Sequence, residues 1–137
     1  MRHLLAILAI FGSITAYAQQ HKDPVEIIEE RYQRCLAQSS NMLNCATLYY
    51  QAIDSALSAT IQHLYGHLSA ASVNKLQQDQ IAWEERKDAY FKKIDERVEK
   101  LHKSTMQGLD DDMISTDNKA AFLKNRLVEL YREYELG

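Results

Sequence analysis

From Val25 to Tyr134, apolar residues recur at spacings of three and four, and the only proline, Pro24, stands before that pattern. A proline inside a helix removes a hydrogen bond and clashes with the preceding turn, so nothing of that kind interrupts the chain beyond residue 24. No stretch shows the strict two-residue alternation that a half-buried strand needs. The segment Asp23-Pro24-Val25-Glu26 reads as an N-cap, a proline in the first helical position and a carboxylate three residues after the cap. It opens a first helix over about 24–37, with Val25, Ile28, Tyr32 and Leu36 inward. Ser39-Ser40-Asn41 breaks it and can cap a second helix over about 42–68, whose apolar face is Ala46, Tyr49, Ile53, Leu57, Ile61, Leu64 and Leu68. Ser69 to Ser72 makes the next break, with Ser72 as cap. A third helix over about 73–103 places Val73, Leu76, Trp83, Tyr90, Ile94, Val98 and Leu101 on one stripe. Ser104 to Ser115, with Gly108 and Asp110-Asp111-Asp112, reads as irregular. Thr116 or Asp117 then caps a fourth helix to about Glu135, with Ala120, Leu123, Leu127, Leu130 and Tyr134 inward. The pattern predicts an all-α antiparallel bundle of about four helices.

The N-terminus has another purpose. Arg2 and His3 precede an aliphatic run, Leu4 to Ile10, and Ala16-Tyr17-Ala18 forms a small-x-small site. This is the layout of a secretory signal peptide over residues 1–18, cleaved after Ala18, against the alternative of an uncleaved N-terminal anchor. The apolar run is too short for a permanent span, so no membrane span is expected once it is removed. Residues 19–137 then form a single domain, periplasmic or secreted. In that part 15 basic residues face 19 acidic ones, a net charge of −4. The balance offers no basic footprint for nucleic acid and no polybasic membrane patch, and favours a basic partner over an acidic one.

Cys35 and Cys45 are the only cysteines, ten positions apart in the exported part. In an oxidising compartment such a pair reads as a disulfide, against the alternative of two buried thiols. The bridge would join the last turn of the first helix to the first turn of the second and clamp the hairpin at its bend.

Candidate chemistry is sparse. Continuing the third helix's stripe from Leu76 passes through Gln80, Trp83 and Lys87 before Tyr90, so two long polar side chains flank the only tryptophan. Burying them unpaired would cost on the order of a few kcal/mol, and they need partners or a route to solvent. Asp54, which breaks the second helix's face beside Ile53, is one candidate partner. Three readings stand: a buried polar network fixing helix register, a functional groove around Trp83, or Lys87 extending to the surface. His63 and His67 stand at i,i+4, where two imidazoles can hold a metal. The glutamate of a zinc protease is missing and no third ligand is evident, so the pair reads as exposed histidines without a metal. Asp110-Asp111-Asp112 lacks EF-hand spacing and reads as a solvated loop. Glu84 and Glu85 point about 100° apart on a helix and cannot flank one glycosidic bond. With no nucleophile triad, phosphate loop or haem motif, the sequence supports neither catalysis nor a cofactor.

Residues 31–92 resemble the N-terminal domain of the LprI-type lysozyme inhibitors, a family of exported bacterial proteins. The resemblance rests on Cys35, Cys45, Asp54 with Leu57, then Leu76, Gln80 and Trp83, ending at Lys87-Asp88. The family's arginine before the aspartate is Lys87 here, which loses a bidentate fork. An asparagine after the helix-two leucine is replaced by Ser58. A third cysteine at the Phe91 position and its later partner are both absent. The resemblance implies an exported protein that binds another protein, a lysozyme or other muramidase, by stoichiometric inhibition. A structural or accessory envelope protein without an enzyme target is the alternative. An enzyme acting on the cell wall is least favoured.

Overall fold

A computed structural model describes residues 23–104 and 108–137, and its regular elements are four α-helices. They are α1 (Pro24–Gln38), α2 (Met42–His67), α3 (Ala70–Ser104) and α4 (Gly108–Glu133), with no strand among the described residues. The signal peptide expected over residues 1–18 lies outside the described residues.

The first two helices start where local chemistry directs them. Asp23 accepts from the Val25 amide at 2.9 Å while Pro24 fills a position whose N–H would go unused. Asn41 caps α2 by accepting from the Asn44 amide at 2.9 Å. Two boundaries depart from the sequence reading. α3 begins at Ala70, and Ser69 instead of Ser72 supplies the oxygen at its start, accepting from the Ser72 amide at 3.3 Å. α4 begins at Gly108, about two turns before the expected caps. Thr116 is therefore mid-helix, its hydroxyl donating to the Asp112 carbonyl at 2.8 Å. Asp111 and Asp112 stand near the helix start, where carboxylates complement the dipole; they are not a loop.

Connections of three and two residues join α1 to α2 and α2 to α3, which reverses the chain each time. Contacts of α3 with α4 run in opposite order, Lys75 to Glu133 and Asp95 to Lys119. The topology is up-down-up-down, with α2 and α4 parallel. The main interface joins α2 to α4, with α1 packed on α2 and α3 on α4. Ile53, Leu57 and Leu64 meet Leu123, Leu127 and Leu130 in the core, closed by Val25, Leu76 and Trp83. The expected stripe of α3 is correct at Leu76 and Trp83, but Tyr90 and Leu101 are exposed. With 35 residues α3 is about 52 Å long and outreaches α2 or α4, each about 39 Å, by about 13 Å.

Cys35 and Cys45 form a disulfide with their Cα atoms 5.7 Å apart, linking the end of α1 to the start of α2. α1 buries only Val25 fully, so its attachment depends heavily on this bridge. Reduction, or Cys35→Ala, is expected to lower stability by about 2.5–3 kcal/mol while the helical circular dichroism persists. An unchanged melting temperature after reduction would show that the bridge contributes nothing.

Candidate functional site

Arg126 follows Leu123 by three residues and precedes Leu130 by four, so the core stripe of α4 carries it inward. Its side chain is 1% exposed. A charge placed there must be fully hydrogen-bonded to persist. Nε and Nη2 donate to Gln80 Oε1 at 3.2 and 3.1 Å. Nη2 also donates to Asp79 at 2.7 Å and Nη1 to Glu129 at 2.9 Å. The Trp83 ring lies 5.9 Å from the guanidinium carbon. Burial works against the Arg126 charge, but the bonds to Glu129 and Asp79 outweigh it and leave its pKa raised.

The network continues outward along α3. Gln80 Nε2 donates to Glu84 at 3.1 Å, and Glu84 also accepts from Lys87. Lys87 stands 3.7 Å from Asp88 and 5.6 Å from the Trp83 ring. Burial also opposes the Lys87 charge, and the bond to Glu84 more than compensates, so its pKa is raised. No buried side-chain nitrogen or oxygen among the described residues lacks a partner. The odd polar residues of the third helix thus belong to a polar network linking α3 to α4, and Trp83, 5% exposed, is core.

Leu57, Leu76, Gln80 and Trp83 are buried together with Arg126. Asp54 corrects the sequence reading: it is exposed, and Arg126 takes the role assigned to it. Asp88 is exposed and Lys87 half-buried. Tyr50 connects these outer residues. Its pKa is raised by burial first and then by the Asp54 charge, with Lys87 opposing, which places both charges beside the phenol.

A second cluster fastens α1 and α2 to α4. Tyr32 and Tyr49 stack at 4.4 Å. The Tyr32 hydroxyl donates to Asp117 at 2.6 Å, and Glu29 accepts from Lys124 at 2.6 Å. Burial, then the Glu29 charge, pushes Tyr49 up to about 12. Burial, then the bond to Asp117, raises Tyr32 well above the usual phenol range. Both phenols keep their protons at neutral pH and serve as donors. Where the resemblance places a third cysteine, Phe91 instead packs against Tyr50 at 6.4 Å and Phe122 at 6.2 Å. Phe91 thus joins α2, α3 and α4 through aromatic contacts.

The match to known families takes in the whole Arg126 network. The model of the lysozyme inhibitor LprI family matches residues 33–130, from beside Cys35 to the last buried leucine of α4. This chain belongs to the lysozyme inhibitor LprI family. No curated protein and no solved structure matches it. The LprI match extends well past residue 92, where the sequence resemblance was strongest, and so includes Arg126. The glutamine and tryptophan of the LprI segment and the arginine of α4 form one unit in three dimensions. No described helix is long and apolar enough to cross a membrane, and the described residues hold no group of three metal-capable side chains.

Proposed function

We propose that this protein is an exported binding protein that inhibits a lysozyme-type muramidase by forming a stoichiometric complex. The observation that carries this reading is the LprI family match over residues 33–130. Two physical features support it. The exported part has a net charge of −4, and lysozymes of the c-type are basic, so long-range attraction favours encounter. Among the segment residues, burial withdraws Leu57, Leu76, Gln80 and Trp83 from any contact, leaving Asp54 and Lys87 beside Tyr50, with Asp88 3.7 Å from Lys87, on the α2/α3 face. That face presents two carboxylates and one lysine from a scaffold fixed by the Arg126 network. A rigid surface binds with less ordering cost than a loop.

Titration of the purified protein into c-, g- and i-type lysozymes should abolish muramidase activity of at least one class near equimolar ratio. No effect on any class at large molar excess would remove the inhibitor reading and favour an accessory envelope role. In the responsive class, Asp54→Lys with Asp88→Lys should weaken inhibition about tenfold and flatten its salt dependence. Unchanged inhibition by that folded variant would move the contact face elsewhere.

A further inference from the structure

His63 and His67 stand one turn apart on α2, both exposed, with their rings stacked at a centroid distance of 4.0 Å. His67 Nδ1 lies 2.8 Å from the His63 backbone carbonyl oxygen. A carbonyl oxygen only accepts, so Nδ1 carries the proton and, in the neutral ring, Nε2 holds the free lone pair. This tether, a ring N–H given to a backbone carbonyl, is the contact that commonly orients metal-binding histidines and fixes their tautomer. Two ring nitrogens that share a metal at bonds of about 2.0–2.1 Å sit about 3 Å apart, and the rings, whose planes now stand 26° apart, reach that arrangement by rotating about their exposed side-chain bonds.

We propose that His63 and His67 form a two-point chelating site for a borderline divalent cation of the zinc type. Imidazole is a preferred ligand for that class. The sequence assigned no metal for want of a third ligand, and the described residues supply none. Chelation by two imidazoles on an exposed helix needs none, because water fills the remaining positions. His63 also borders the open cleft between α2 and the end of α4, beside Thr60, Tyr131 and Leu136. Both histidines are exposed, so the remaining coordination positions are open to water. The site stands apart from the inhibitor reading, which neither requires it nor excludes it.

The test is a calorimetric titration of zinc chloride alone into the purified protein near neutral pH. Zinc is preferred to copper because an amino terminus at Gln19 would make His21 the third residue of the chain, a copper chelator in its own right. The expected result is one equivalent of zinc bound, with His63→Ala and His67→Ala each lowering affinity at least tenfold. Both side chains are exposed, so the metal-free variants should melt within about 1 °C of the parent. Absence of saturable binding would overturn the proposal. So would binding that survives intact in the variant lacking both histidines.

Discussion

Arg126→Ala is expected to destabilise the fold by about 3–5 kcal/mol, the usual cost of removing one member of a buried charged network. For a domain of this size that lowers the melting temperature by roughly 10–20 °C. The loss has identifiable parts. Gln80 Oε1, now bonded twice by the guanidinium, becomes a buried acceptor with no donor. The Trp83 ring loses the group beside it and borders a void. Asp79 and Glu129 contribute less, because both are more than one-third exposed and can turn to water. Lysine does not rescue the site: a single ammonium cannot address three partners with the fork that guanidinium provides. The decisive comparison is Arg126→Met together with Gln80→Leu, which removes donor and acceptor at once. The pair of changes should cost at least about 1 kcal/mol less than the sum of the single changes. Additive melting data would show that the two residues act independently, and the explanation for their meeting in the core would be lost.

Arg126 also marks the limit of what the sequence disclosed. The helices with strong local punctuation were legible: Asp23-Pro24 and Asn41 set the starts of α1 and α2 as expected. The disulfide follows from cysteine number, spacing and the compartment that the expected leader implies. Residues 108–115 are helical although a glycine and three aspartates resemble a loop, because the same carboxylates suit a helix start. Gln80 and Lys87 were found by asking which polar residues stand on an apolar stripe. The same question put to α4 finds Arg126, three after Leu123 and four before Leu130. Leu127 stands next to it and completes the stripe without it, which hides Arg126 from a periodicity argument. Asp54 drew attention instead, since a carboxylate beside Ile53 is a plausible partner in sequence. A periodic pattern gives the angle of each side chain about its own helix. It does not give the rotation between helices, which decides whether α2 or α4 faces Gln80.

Trp83→Ala should cost about 3–5 kcal/mol, as expected for deleting a core aromatic ring. The ring is 5% exposed and stacks on Phe122 at 5.8 Å, with Lys87 and Arg126 over its faces at 5.6 and 5.9 Å. Truncation therefore removes apolar contact and uncovers two cations held against it. Trp83→Phe keeps an aromatic face and should recover more than half of the loss. Melting followed by far-ultraviolet circular dichroism is the suitable readout, because the variants lack the chain's only tryptophan. Inhibition measured below the variant's melting range separates stability from contact. A buried ring cannot touch a partner, so under the proposed inhibitor function folded Trp83→Ala should inhibit as the parent does, with its effect confined to temperature. If Trp83→Phe restored the melting temperature yet failed to inhibit, the indole itself would be meeting the target, and helix α3 would have to open to present it.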